Sequence, residues 1–134
     1  MEAWKRVNGA IEGGHFFEAV TICESIISDR LFSYIYGVSP DTKLQLHSPF
    51  AKLIKAWKKL AGNTLPEGLA DDVDAWRKKR NSVVHGLVKS VPGRPTDDID
   101  SFLDKAEQTA LTGERLAREV SLWHKQQLRK VKNG

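Results

Sequence analysis

The residues best equipped for chemistry lie together in RKKRNSVVHG, Arg77 to Gly86, where Arg80 and His85 are five positions apart and Asn81 directly follows the arginine. Arg80 carries a permanently charged, planar fork that matches phosphoryl oxygens. His85 can donate or accept a proton near neutral pH in its ordinary state. A guanidinium beside an imidazole is thus suited to moving protons next to a phosphate on which charge is building, with Asn81 available to orient either group. Each has a plainer use as well. A run of four cations at a helix C-terminus complements the helix dipole, and a lone histidine is most often a hydrogen-bonded, partly buried side chain.

Other catalytic vocabularies are missing. There is no glycine-rich phosphate loop, nucleophile elbow, HExxH or cysteine pair. The histidines at 15, 47, 85 and 124 lack metal-ligand spacing, so neither a metal nor a cofactor is expected. The single cysteine, Cys23, precludes an intrachain disulfide and suits a reducing compartment.

The elements that must position Arg80 and His85 read as helices. HFFEAVTICESIISDRLFSYIY, His15 to Tyr36, has apolar residues every three or four positions, with Gly13, Gly14 and Gly37 as punctuation. A shorter helix is expected around Trp4 to Ile11. Ser48 and Pro49 form a cap and first-turn pair for a helix carrying Phe50, Leu53, Ile54 and Trp57, ended by Gly62 and Asn63. Pro66 opens the next helix, with Asp71, Asp72 and Asp74 near its positive end and the Arg80 to His85 segment at its far end. Ser90 to Pro95 reads as a turn, Thr96 as the cap of a long last helix, and Gly113 as a bend within it. Trp4, Trp57, Trp76 and Trp123 fall on apolar faces, which assigns them to the core or a dimer interface rather than to base stacking. No segment alternates with period two, and there is no internal repeat.

The expected fold is therefore all-α: one domain over 1–134, an antiparallel bundle of four to five helices, with the last few residues disordered. Hydrophobic residues at 40% and charged residues at 28% suit such a chain. The net charge of +4 mildly favours phosphate partners. Basic residues are spread along the chain, so any basic patch must be made by folding. No stretch reaches the roughly 18 apolar residues of a membrane span, the opening MEAWKRVNGAIEGG lacks signal-peptide character, and a cytoplasmic location is expected.

Arg80-Asn81-Ser82-Val83-Val84-His85 resembles the Arg-x(4-6)-His signature of the HEPN superfamily, in which a polar residue commonly follows the arginine. The small all-α bundle, the motif late in a later helix and the early helix HFFEAVTICESIISDRLFSYI extend the resemblance over most of the chain. It implies a homodimer and a metal-independent endoribonuclease of toxin or phage-defence type, with Arg80, His85 and Asn81 as catalytic residues. It also implies an acid on the early helix facing the motif: Asp29, the preferred candidate, or Glu24. Arg77, Lys78, Lys79 and Ser82 would line the RNA-binding cleft. The alternative is a non-catalytic HEPN-like module that binds RNA, a nucleotide or a protein. An antitoxin or other regulatory partner fits the resemblance, but Leu87 stands where toxins silenced by a nucleotidyltransferase often carry tyrosine, which argues against that kind.

Metal-free RNA cleavage needs a base for the 2'-hydroxyl, an acid for the 5'-oxygen and a fixed cation. One histidine cannot be acid and base at once, so two copies of His85 in one groove suit the chemistry. Five residues of ideal α-helix turn about 140° beyond a full revolution, so Arg80 and His85 do not share a face, whereas Asn81 and His85 do. Convergence requires loosening near Gly86, a long reach by Arg80, or a second protomer.

Overall fold

The computed structural model describes residues 2–88 and 97–133, with side chains over 2–83 and 100–131. Among the described residues there are five α-helices and no strand: α1 (Glu2–Glu12), α2 (Phe16–Val38), α3 (Phe50–Ala61), α4 (Leu69–Val88) and α5 (Asp97–Asn133), with a 3-10 turn at Gly62–Thr64. The all-α bundle expected from the apolar spacing is the fold observed. None of the described helices is long and apolar enough to cross a membrane.

α2 is the central element because apolar residues ring most of its circumference. Ala19, Val20, Cys23, Ile26, Ile27, Leu31 and Ile35 are buried, and α1, α3 and α5 pack around them. Each fully buried aliphatic side chain of this kind contributes about 1.5–3 kcal/mol relative to exposure. The α1–α2 link turns at Gly14, whose φ of 77° favours glycine, and His15 N–H donates to Ala10 O at 2.7 Å.

Ring contacts fix the helix directions. Phe17 stacks on Phe102 with centroids 5.6 Å apart, and Tyr34 meets Trp123 edge-on at 4.7 Å, so α2 and α5 run the same way. α3 runs with them, since Phe50 lines a cleft with Glu24 and Ser28 while Trp57 reaches Trp123 at 5.6 Å. Antiparallel pairing holds for α3 and α4, clasped by Lys58 and Asp71 at 2.6 Å. It does not hold for α2 and α3, because the connection over residues 39–49 doubles back along α2 before α3 begins. That connection is held locally: Gln45 N–H donates to Ser48 Oγ at 2.8 Å and Leu44 N–H to Thr42 Oγ1 at 3.2 Å. Ser48 is therefore occupied by Gln45 and does not cap α3; Pro49 precedes the helix and its carbonyl accepts from Lys52 and Leu53.

Three more local expectations change. α4 begins at Leu69, after Gly68 with φ 81°, so Pro66 belongs to the preceding turn. α5 passes through Gly113 without a break. Glycine is required there by packing: a Cβ would lie 2.7 Å from Cζ2 of Trp76, whose ring is buried and whose Nε1 donates to Thr109 O at 2.8 Å. α5 also carries the chain in helix to Asn133, into the stretch read as a disordered end. The Ser90 to Pro95 turn and the Thr96 cap lie outside the described residues.

Candidate functional site

Arg80 lies on the inward stripe of α4, following Leu69, Val73 and Trp76 at helical spacing. Its Nη2 is 2.6 Å from Glu24 Oε1 on α2, with side-chain exposures of 23% and 26%, so the pair is largely withdrawn from water but not sealed. Arg80 Nε is buried with no hydrogen-bond partner. Of the two acids weighed for orienting the motif, Glu24 is the one that touches it. Asp29, the preferred candidate, instead pairs with its neighbour Arg30. The reason is register. Glu24, one residue from the core-facing Cys23, reaches across to Arg80 of α4, whereas Asp29 lies five residues further along α2.

Glu24 also lines a cleft of about 500 Å³ between α2 and the 39–49 connection, together with Ser25, Ser28, Asp29, His47 and Ser48. Phe50 and Leu46 supply its apolar wall. The site thus gains an imidazole, His47, and the hydroxyls of Ser25 and Ser28, which the sequence had not singled out. His47 sits in a polar, unpatterned segment, and only the doubling back of that segment along α2 brings it beside Glu24.

The remaining motif residues divide. Arg77 donates through Nε to Asp74 at 3.0 Å, and Lys78 Nζ lies 3.5 Å from the same carboxylate. The Arg77 hydrogen bond, with the positive charge of Lys78, holds the Asp74 carboxyl below its usual range. Two of the expected RNA-binding cations are thereby partly neutralised. Lys79 and Ser82 are exposed, and Asn81 is half-buried. The His85 backbone belongs to α4, but its side chain lies outside the described residues.

α4 continues unbroken to Val88, which settles two points of helix geometry. Arg77 to Arg80 lie about two turns before its end, beyond the last turn in which the dipole acts, so dipole complementation does not account for them. There is also no loosening at Gly86 to bring Arg80 and His85 onto one face. By spacing, His85 follows Asp74, Lys78 and Asn81, a different stripe from that of Arg80.

A second cleft, of about 690 Å³, opens among α1, α2 and α5, where Trp4, Arg30, Arg118, Ser121, His124 and Lys125 are among the lining residues. Burial, and next the positive charge of Arg30, push the His124 imidazole below its usual value, with Asp29 opposing. Cys23 is fully buried, and burial pushes its thiol up to about 12. Among the described residues, no three of His, Cys, Asp and Glu stand close enough to hold a metal ion.

No protein-family model, curated protein or solved structure matches the chain.

Proposed function

We propose that the protein is a metal-independent endoribonuclease of HEPN type, acting as a homodimer in which Arg80 and His85 of two copies face one RNA strand. The observation that carries this reading is the Arg80–Glu24 pair: a fixed, partly accessible guanidinium whose acidic partner opens onto a polar cleft. A cleft of about 500 Å³ is within the size range of small-ligand sites, and the proposal seats a nucleotide unit there. Arg80 would stabilise the charge that develops on the phosphoryl oxygens. One His85 takes the proton from the 2'-hydroxyl, whose oxygen attacks phosphorus. The other gives a proton to the departing 5'-oxygen, leaving a 2',3'-cyclic phosphate. Asn81 orients His85, and Lys79 and Ser82 meet the strand. Toxin or phage-defence work, under a regulatory partner, is the setting such an activity would have.

The unbroken α4 helix favours a second reading. Within one chain Arg80 and His85 occupy different stripes, so the groove could bind phosphate without catalysis. The experiment is incubation of wild type, Arg80→Ala and His85→Ala with structured RNA in EDTA, with the matching DNA as control. The expected result is cleavage of RNA only, cyclic phosphate ends, and loss of activity in both folded variants. Uncleaved RNA that still binds the His85→Ala protein as tightly as wild type would refute the enzyme and leave the binding module.

A further inference from the structure

The exposed side of α5 carries an order of charge that the helix dipole does not explain. Asp100, Asp104, Glu107, Leu111, Arg115, Arg118, Leu122, Lys125 and Arg129 recur at three- and four-residue spacing, opposite the buried Ala106, Ala110, Leu116, Ala117, Val120 and Trp123. The stripe is acidic in its first half and basic in its second. Leu111 and Leu122 stand exposed within it at 43% and 60%. Dipole complementation explains charges only in the first and last turns of a helix. Asp104, Glu107, Arg115 and Arg118 lie well inside those limits on a helix of 37 residues.

We propose that this stripe is a self-association surface on which α5 of a second copy lies antiparallel. A two-fold interface must be complementary to itself, and this stripe is. Setting Leu111 against Leu122 of the second copy places Asp104 opposite Arg129 and Glu107 beside Lys125. The two-fold repeats each pairing at the other end. A parallel alignment would instead put acid on acid and base on base. At the crossing point Arg115 meets Arg118 of the other copy, but each is held by an acid of its own helix, Glu119 at 3.0 Å and Glu114 at 3.4 Å. The centre therefore carries no net charge. Trp4, over whose ring the Arg118 guanidinium sits at 4.5 Å, adds an aromatic margin. From residue 104 to residue 129 the contact runs roughly 38 Å along the helix.

This surface is independent of the ribonuclease reading. It sets the two α4 helices toward opposite ends of the pair, so it is not the shared cleft proposed above.

The test uses two charge reversals of the full chain, Asp104→Lys with Glu107→Lys, and Lys125→Glu with Arg129→Glu, followed by sedimentation across a concentration series. All four positions lie outside the proposed catalytic groups, and helicity by circular dichroism confirms folding. Wild type is expected to associate through α5, as a dimer or, where the α4 contact also forms, as a larger assembly, and each reversal to weaken the α5 contact by at least about a hundredfold, because like charges then face one another. An equimolar mixture of the two variants should re-associate, since each then meets its complement. Leu111→Cys mixed with Leu122→Cys should form a disulfide-linked heterodimer under mild oxidation, with the buried Cys23 silent. A wild type that stays monomeric overturns the proposal. So does a dimer indifferent to both reversals, or a mixture that fails to re-associate. An indifferent dimer would point to another face and leave the shared cleft standing, while absence of RNA cleavage would not bear on α5.

Discussion

Replacing Glu24 with Gln tests how the arginine of the motif is held. The substitution keeps the shape of the side chain and removes its charge, leaving Arg80 about three-quarters buried without a counter-charge. With N and O at 2.6 Å the charge centres lie about 4 Å apart, which at an effective dielectric of about 20 corresponds to about 4 kcal/mol of attraction. Desolvation of both groups offsets much of this, so the expected coupling between them is about 1–2 kcal/mol. Glu24→Gln and Arg80→Gln should each destabilise the fold in urea, and the double variant should cost less than their sum by that coupling. Activity on RNA should separate differently. Under the proposed ribonuclease reading, Glu24→Gln raises the net charge of the groove and should strengthen RNA binding. It also frees the guanidinium, and misplacing a positioned group lowers turnover by up to about a hundredfold. The expected signature is therefore a lower KM together with a lower kcat. Additive stability effects, or a Glu24→Gln variant that cleaves RNA with unchanged kcat, would refute the role of Glu24 as the holder of Arg80.

Gly113→Ala should destabilise the protein although alanine is the better helix former. Overpacking against Trp76 costs about 1–3 kcal/mol and the propensity gain returns at most about 1, so Tm falls by up to roughly 10 °C at about 3–5 °C per kcal/mol. A raised Tm would show that Trp76 yields without losing its bond to Thr109. His124 should titrate by NMR below the ordinary histidine value of about 6.5. Its unfolded form then binds the proton more readily than its folded form, so stability is full above that pH and declines as pH falls below it. His124→Gln should make the acid limb of a stability-against-pH curve shallower, and an unchanged limb would contradict this.

The parts of the fold legible in the sequence are those set by local rules. The apolar spacing of α2, α3 and α5, and the glycines around Gly13 and Gly62, mark helices and breaks with boundaries correct to a few residues. Arg80 stood out as a candidate because of its charge type and spacing in α4, and its pairing with Glu24 is what the structure adds. What escaped depends on contacts distant in sequence. Whether Glu24 or Asp29 meets Arg80 turns on how α2 is rotated against α4, and both are acids among apolar neighbours. The direction of α3 depends on the path of residues 39–49, whose composition says only that they are not helix. His47 enters the cleft by that path alone. Gly113 reads as a flexible point until Trp76 is placed against it, from 37 positions earlier in the chain.

Helix register constrains the function more than composition does. On the unbroken α4, Arg80 faces α2 and is held there by Glu24, while the position of His85 follows Asp74, Lys78 and Asn81. In the proposed ribonuclease a shared site would therefore assemble by bringing the Asn81–His85 stripe of one copy to the Glu24–Arg80 pair of another. That requires two copies to meet across α4, near the cleft that contains His47. The α5 stripe keeps those stripes apart. The two surfaces can coexist only in an assembly larger than a pair, and RNA cleavage by a protein paired solely through α5 would mean that one chain completes the site, with His47, which lines the Glu24 cleft, supplying the proton transfer that His85 does not. His47→Ala measured beside His85→Ala separates the cases. Loss of activity in His47→Ala but not in His85→Ala places the chemistry in the α2 cleft of a single chain, whereas loss in His85→Ala alone requires the second copy.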